Sequence, residues 1–391
     1  MMNSFDFQAK TEIYFGKGRE EEVGKILKKH NAKNILIVIG KKSVIKSGLL
    51  GRVTHSLEGE NITYHILQGV RANPTFDLVR EGNKMVIENQ IDFILAIGGG
   101  SVIDTAKCIA ATTYYSGDIK DFNLHKASPT SALPVGVILT IAAAGSEMSA
   151  SCVIQDDETE IKLGFLSDLI RPVFAIENPE LTYSVNKEQT AYGVVDILMH
   201  TFERYFSYSD KNELADEFAL GLLKNVVEVG LIAYNEPENY DARARIMLDS
   251  TISHNGYTSI GKKYVFPVHA LEHAVSGRFA NIAHGCGLAI LFPGWAERYY
   301  IYDIDKFARL GRHVFGIKET KKKEAALKCI KAFKSYFKKL GMPSRLSEVG
   351  VKESDIDALA DIVSGKGSKV VDHHCHPLDR ETAKEIYLKV L

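Results

Sequence analysis

The first half of the chain alternates short, β-branched apolar runs with helix-compatible segments, and this alternation limits the possible folds more than any other feature. Four such runs are Ile35 to Ile39, Phe93 to Ile97, Val135 to Leu139 and Val173 to Ile176. Runs that are apolar on both faces are typical of strands buried in a parallel sheet with helices on each side. The sequence therefore predicts an α/β domain built on a parallel sheet.

The second half of the chain has a different pattern. From Lys187 to the C-terminus, long helical periodicities replace the β-branched runs, and glycines mark the turns. Asn178-Pro179 followed by Thr182 suits a hinge, because proline disfavours helix at the preceding residue and threonine can cap the helix that follows. We predict two domains, residues 1–182 and 183–391, the second of them all-α.

The composition argues against a protein that binds nucleic acid or a membrane. The 391 residues include 48 basic and 49 acidic side chains, so no strong field attracts nucleic acid or an anionic membrane surface. Five cysteines without CxxC spacing indicate reduced thiols, and no secretory signal pattern opens the sequence. The longest apolar run, Ala132 to Gly145, is too short to cross a bilayer. We expect a cytoplasmic protein that acts on a small molecule.

A glycine-rich loop follows one of the predicted strands. Phe93 to Ile97 leads into Gly98, Gly99, Gly100 and Ser101, and then into a helix that carries Asp104 in its first turn. Without Cβ atoms, glycines let backbone amides approach a diphosphate, and the helix N-terminus attracts its negative charge. The spacing is neither GxGxxG nor GxxxxGK[ST], and a simple strand-to-helix turn is the alternative. The context favours a nucleotide-binding loop.

Acidic and histidine side chains recur at metal-ligand spacing in the second half. Asp196 and His200 stand one helical turn apart, His269 and His273 repeat that spacing, and a glycine follows His284. A carboxylate with several imidazoles suits Fe(II) or Zn(II) better than Mg(II) or Ca(II). Taken singly, each of these side chains is more often a surface or core residue than a ligand. The combination predicts a metal-binding domain.

A second interpretation starts from the same helix. His269-Ala270-Leu271-Glu272-His273 matches HxxEH, in which both histidines bind zinc and the glutamate is the base of a peptidase. The glycine-rich loop and the separate Asp196/His200 pair have no place in that chemistry. The peptidase is therefore kept as the lesser alternative.

These motifs together resemble the iron-containing alcohol dehydrogenase family, especially its butanol-dehydrogenase-like branch. The resemblance extends over essentially the whole chain, through the segments Phe15-Gly16-Lys17-Gly18, Asn73-Pro74, Gly98 to Lys107, Gly145-Ser146-Glu147, Asn178 to Thr182, Asp196 to His200, His269 to His273, His284-Gly285 and Pro377 to Glu381. It implies an NAD(P)H-dependent oxidoreductase of small aldehydes and primary alcohols, and a homodimer. A lyase related to dehydroquinate synthase, which shares the general architecture, is the other alternative.

The resemblance also assigns residues. It implies that Asp196, His200, His269 and His284 bind the metal and that His273 lies beside the nicotinamide and assists proton transfer. The predicted cofactor-binding residues are Gly40, Ser43, Asn73, Gly98, Gly99, Gly100, Ser101, Asp104, Thr140, Ser149 and Lys162. The predicted fold is thus an α/β N-terminal nucleotide-binding domain with a parallel sheet, followed by an all-α C-terminal metal-binding domain.

Three features depart from the family pattern. Ala144 stands where the family usually has threonine, and the interval from His273 to His284 is one residue longer than usual. The third feature is Asp372-His373-His374-Cys375-His376, which we interpret as an exposed loop without metal.

Cofactor preference is suggested by the segment Ile39-Gly40-Lys41-Lys42-Ser43. A carboxylate at the end of this strand normally selects NAD by binding the ribose hydroxyls and repelling a 2′-phosphate. None is present here, and two lysines and a serine offer charge and hydrogen bonds to a phosphate. We therefore expect NADP(H) to be favoured over NAD(H), although a solvated lysine pair would look the same.

Overall fold

The computed structural model of the protein describes residues 4–207, 212–372 and 376–391. They form two compact units, Gln8–Ser184 and Val185–Leu391, and the second unit also contains residues 4–7. The predicted boundary at 182/183 lies two residues before this division. Residues 4–7 were expected in the first domain, but Phe5 and Phe7 pack close to Gly261 and Gly256 of the second unit.

The first unit contains eight strands and five α-helices among its described residues. The strands are β1 Glu12–Phe15, β2 Asn34–Gly40, β3 Thr63–Val70, β4 Phe93–Gly98, β5 Val135–Leu139, β6 Ser151–Asp156, β7 Ile161–Leu166 and β8 Phe174–Glu177. The helices are α1 Val23–Lys29, α2 Ser43–Lys46, α3 Leu49–Gly59, α4 Phe76–Asn89 and α5 Gly100–Thr112.

Six of these strands form one parallel sheet in the order β1-β8-β5-β4-β2-β3. The central strands β2, β4 and β5 consist almost entirely of buried residues, as expected for a sheet covered on both faces. The chain leaves β2 towards β3 on one side and leaves β4 towards β5 on the other, so the adjacent strands β2 and β4 flank a topological switch point. In sheets of this kind, ligands bind beyond the carboxyl ends of the strands at that point.

The other two strands form an antiparallel hairpin, β6-β7, that the sequence analysis did not predict. Its strand β6 packs on α5, and Gln155 makes a parallel bridge with Thr75.

The described residues of the second unit form helices and connecting loops but no strands, apart from an isolated bridge between Val371 and Leu378. Its helices are α6 Lys187–Tyr205, α7 Glu213–Asn235, α8 Tyr240–His254, α9 Pro267–Arg278, α10 His284–Tyr299, α11 Ile304–Phe315, α12 Lys322–Lys339, α13 Ile356–Ser364 and α14 Arg380–Lys389. The predicted parallel α/β domain and helical second domain are confirmed. No helix in the part of the chain that the structure describes combines the length and the apolarity needed to cross a membrane.

The segment from Asp372 to His376 differs from its prediction. Residues 373–375 lie outside the described residues, but Asp372 and His376 are both buried. The His376 ring packs beside Trp295 and Tyr299, and its Nε2 lies 2.5 Å from the Asp303 carboxylate. The expectation of an exposed loop is therefore wrong for these two residues, because the neighbouring carboxylates satisfy a buried imidazole.

Candidate metal centre and nucleotide site

The four predicted metal ligands lie on three helices of the second unit. Asp196 and His200 are one turn apart on α6, whose N-cap Asn186 accepts the backbone N–H of Gln189. Helix α9 begins at Pro267, whose fixed φ suits the first helical position, so His269 falls in the first turn. His284 is the first residue of α10.

These side chains converge on one oxygen of Asp196. Nε2 of His269 and Nε2 of His284 each lie 3.7 Å from Asp196 Oδ1. His200 approaches the same oxygen with Nδ1, at 3.1 Å. The rings of His200 and His269 are 4.5 Å apart, and those of His269 and His284 are 5.2 Å apart, between centroids. The structure thus brings together all four residues that the sequence analysis selected.

Burial makes this cluster unfavourable without a bound cation. Asp196, His200 and His269 are only 5–6% exposed. Two facing atoms, Asp196 Oδ1 and His269 Nε2, are buried and have no hydrogen-bond partner of good geometry. An unsatisfied buried polar atom costs about 1–3 kcal/mol. A divalent ion held by one carboxylate and three imidazoles would satisfy these atoms, and this donor set suits Fe(II) or Zn(II).

The electrostatics of Asp196 and His200 match that donor set. Burial raises the pKa of Asp196, but the imidazoles of His200 and His284 together lower it well below its usual value. Burial also lowers the pKa of His200 to about 4, so this ring is neutral at pH 7 and has a lone pair to donate. For His269, burial lowers the pKa, but Glu203 and Asp196 outweigh that effect and raise it to about 9. Without a metal ion this ring is therefore protonated at pH 7, and an ion that binds Nε2 has to displace that proton.

Around the predicted ligands, the sequence analysis missed Glu203 and His254 and considered Glu272 only as the base of a peptidase. The carboxylates of Glu203 and Glu272 contact Nδ1 of His269 and His284, respectively. The ring of His254 stands edge-on to the His200 ring, with centroids 4.3 Å apart. Glu203 lies three residues after His200 but belongs to none of the identified motifs, so only its position on the same helix could have drawn attention to it.

The peptidase interpretation does not fit this geometry. His269 groups with Asp196 and His200, whereas His273 groups with Glu272 and His284. The rings of His269 and His273 are 6.1 Å apart between centroids. Since the Glu272 carboxylate contacts the His284 ring, it is not placed as the base of an HxxEH site.

The glycine-rich loop lies at the switch point of the parallel sheet. Ile39 pairs with Ile97, so Gly40 and Gly98 leave adjacent strands at the carboxyl edge. Helix α5 begins at Gly100, directly after the strand. A Cβ added to Gly99 would lie 2.2 Å from Cγ2 of Ile141, which follows β5, so any larger residue at position 99 would displace the Ile141 side chain. Thr140 belongs to the same edge, because its N–H donates to the Gly98 carbonyl at 3.1 Å.

A buried lysine ties α5 to the loop that precedes β6. Lys107 is fully buried, and its Nζ donates to the carbonyl oxygens of Ser146, Ser149 and Ser151 at 2.6–3.0 Å. Asp104 accepts the Ser146 hydroxyl at 2.7 Å with one carboxylate oxygen. Burial lowers the pKa of Lys107 to about 8, against the opposing effect of Asp104. The predicted cofactor residues Asp104 and Ser149 are therefore part of a network that fixes this loop.

The remaining predicted cofactor residues occupy two places. Ser43 begins α2 just beyond Gly40 and is exposed. Asn73 adopts a left-handed conformation with φ 56°, and the next carbonyl, that of Pro74, accepts the Gln155 N–H at 2.7 Å. Gln155 pairs with Lys162 across the hairpin, so the Asn73 and Lys162 segments are adjacent.

Comparison with known proteins assigns both halves of the chain to one family. Residues 10–179 match the family model described as iron-containing alcohol dehydrogenase, and residues 190–391 match that of the C-terminal part of the Fe-containing alcohol dehydrogenase family. NADH-dependent butanol dehydrogenase A of Clostridium acetobutylicum is 39% identical, over 99% of this chain and 100% of the relative. NADPH-dependent aldehyde reductase YqhD of Escherichia coli is 33% identical, over 99% of each chain.

A solved structure gives the same result. The NADH-dependent butanol dehydrogenase A of Thermotoga maritima superposes with a TM-score of 0.95 at 33% identity, covering 100% of this chain and 99% of that one. The family resemblance that the motifs indicated is confirmed. Because both halves of the chain match this family, the lyase alternative is rejected. The chain belongs to the iron-containing alcohol dehydrogenase family, in its butanol-dehydrogenase-like branch.

Proposed function

We propose that this NAD(P)(H)-dependent alcohol dehydrogenase interconverts short aldehydes and primary alcohols, with NADP(H) favoured over NAD(H) and with Fe(II) or Zn(II) held by Asp196, His200, His269 and His284. The observation that carries the proposal is the convergence of these four side chains on a buried, unsatisfied carboxylate oxygen. When bound, the nicotinamide supplies the hydride and the metal ion stabilises negative charge on the substrate oxygen.

The chain's own residues have three tasks in this proposal. The backbone amides of Gly98 to Ser101 and the N-terminus of α5 hold the cofactor diphosphate. Asp196, His200, His269 and His284 would hold the divalent ion. His273, partly exposed with its ring 5.4 Å from that of His284, assists transfer of the alcohol proton. We further propose that the enzyme is a cytoplasmic homodimer.

The activity is tested by oxidation of NADPH and NADH with a panel of short aldehydes. Metal-stripped protein is refilled with Fe(II) or Zn(II) and assayed beside His269→Ala. We expect activity that returns with metal and is absent in the variant. Inactivity with every metal and both cofactors would contradict the proposal.

Cofactor preference is tested at Gly40. This residue ends β2, and a Cβ there would meet only the Val70 carbonyl, at an ordinary 3.7 Å. Gly40→Asp therefore fits sterically and restores the carboxylate that repels a 2′-phosphate. Gly40→Asn is the matched uncharged control.

We expect Gly40→Asp to lower kcat/KM for NADPH by about 100-fold relative to NADH, equivalent to roughly 2.7 kcal/mol. Gly40→Asn should change the ratio by less than about tenfold, since it brings no charge to the phosphate. A wild-type enzyme that prefers NADH, or an unchanged ratio in Gly40→Asp, would contradict NADP(H) binding beside this strand.

A further inference from the structure

We infer that Glu203 and Glu272 are positioning residues that set the ring orientation and the tautomer of the ligands His269 and His284. The inference deepens the proposed function and rests on its metal site. Both glutamate side chains are fully buried. Each carboxylate contacts Nδ1 of one ligand histidine, and Nε2 of that histidine is directed towards Asp196 Oδ1.

Glu203 reaches His269 from α6, the helix that also carries Asp196 and His200. Its Oε1 accepts the backbone N–H of Val268 at 2.6 Å and that of His269 at 3.3 Å. N–H groups in the first turn of a helix have no partner within the helix, and the N-cap residue of α9 provides no side-chain cap. Because Oε1 is occupied in this way, Oε2 is directed to the His269 ring. One carboxylate thus fixes both the start of α9 and the orientation of the ligand.

Glu272 performs the corresponding task for His284. It lies on α9, and its Oε2 contacts Nδ1 of the first residue of α10. The space for this carboxylate exists because position 287 of α10 is glycine. A Cβ there would lie 2.8 Å from Glu272 Cγ and 3.1 Å from its Oε1. The His284 side chain is 26% exposed and the side chains of the other ligands are 7–8% exposed, so Glu272 adds a constraint on the His284 ring that packing alone does not supply.

The physical consequence is a choice between two tautomers. An imidazole that donates Nδ1–H to a carboxylate leaves the Nε2 lone pair for the metal, and the acceptor also makes the ring more basic. Partners of this kind are typically worth about 10- to 100-fold in metal affinity.

Changing each carboxylate to an amide distinguishes the two roles. In Glu203→Gln, the amide oxygen is held by the two backbone N–H groups of α9, so the NH₂ group faces His269 Nδ1. That donor favours the proton on Nε2, where the metal must bind. In Glu272→Gln, the amide oxygen remains for the His284 ring, and mainly the charge is lost. Glu203→Gln should therefore have the larger effect.

The control variant is Asp249→Asn, a buried carboxylate of the same unit. Asp249 lies on α8 and accepts from Asn225 Nδ2 at 2.8 and 2.6 Å. Metal-stripped proteins are titrated with Zn(II) against a chromogenic chelator. Visible absorption of the Co(II) forms reports the ligand field, and urea unfolding of the metal-free proteins reports the fold.

We expect Zn(II) affinity to fall by about 100-fold in Glu203→Gln and about tenfold in Glu272→Gln, with altered Co(II) spectra. Asp249→Asn should keep both the affinity and the spectrum of the wild type. If Glu203→Gln does not fold, Glu272→Gln provides the test, because it leaves the start of α9 intact. Wild-type affinity and spectrum in the glutamine variants would overturn the inference, whereas a wild-type protein that binds no divalent ion would overturn the metal site itself.

Discussion

Gly285→Ala is the substitution whose effect follows most directly from the structure. Gly285 follows His284, a proposed metal ligand, at the start of α10. A Cβ at this position would lie 2.3 Å from the carbonyl oxygen of Tyr192 and 2.6 Å from its Cα. These are main-chain atoms of α6, the helix that carries Asp196, so no side-chain rotation relieves the overlap. The separation is about 1 Å short of an ordinary contact, and α6 and α10 must move apart.

The magnitude follows from two opposing effects. Overpacking of a well-packed interior typically costs about 1–3 kcal/mol, and a rigid main chain belongs at the upper end of that range. Alanine in place of glycine in a helix regains about 0.5–1 kcal/mol. We therefore expect the free energy of unfolding of the helical unit to fall by about 2 kcal/mol. Since His284 moves away from Asp196, metal affinity should also fall, by roughly tenfold.

The assay uses the single tryptophan of the chain. Trp295 lies on α10, is 1% exposed and packs against Phe202 of α6, so its fluorescence reports unfolding of these two helices in urea. The control is Gly221→Ala on the exposed face of α7, where a Cβ meets nothing within 4 Å. This control should raise the free energy of unfolding by up to about 1 kcal/mol. Wild-type stability and metal affinity in Gly285→Ala would refute the reasoning.

Two further predictions concern buried charges. Lys107→Met removes the donor that the carbonyl oxygens of Ser146, Ser149 and Ser151 share. The substitution should lower the free energy of unfolding of the first unit by about 3 kcal/mol and weaken NADPH binding. Urea unfolding followed by circular dichroism measures the first effect, and an unchanged unfolding curve would contradict this role. For His376, burial lowers the pKa, but Asp303 and Asp372 outweigh it and raise it above 6.5. The protonated His376 ring therefore contributes its full stabilisation below the pKa of the unfolded state, about 6.5. That stabilisation is lost as pH rises through the higher pKa of the folded state. The stability difference between wild type and His376→Gln should therefore shrink as pH rises from 6 to 9, and a difference independent of pH would show that the imidazole is not protonated there.

The sheet could be predicted from the sequence where its strands are buried on both faces. The predicted run Val135 to Leu139 coincides with β5, and the runs beginning at Ile35 and Phe93 end one residue short of β2 and β4. The strand β3, Thr63–Val70, was not predicted, because most of its residues are exposed or half-buried at the sheet edge and form no apolar run. The β6-β7 hairpin was missed for the same reason: residues 161–164 of β7 are only partly buried.

Spacing by one helical turn predicted that Asp196 and His200 share a helix face, and the family resemblance selected His269 and His284 as the other metal ligands. The carboxylates that contact the two selected histidines could not be predicted, since no spacing rule connects Glu203 to a histidine 66 residues later. A buried glutamate in a helix has no distinguishing feature in the sequence. Its partner is fixed only when the helices pack.

The HxxEH segment shows why local spacing leaves the chemistry undecided. His269 and His273 are one turn apart on α9, and spacing alone makes them equivalent as ligands of one ion. Packing removes the equivalence, because the Glu203 carboxylate caps the first turn of α9 and contacts Nδ1 of His269, which directs Nε2 to Asp196. The glutamate between the two histidines contacts the ring of His284. The three polar residues of the pattern therefore have different surroundings in this chain. These surroundings suit the proposed roles of metal ligand for His269, positioning carboxylate for Glu272 and proton transfer for His273, and they are created by the contacts from α6 and α10.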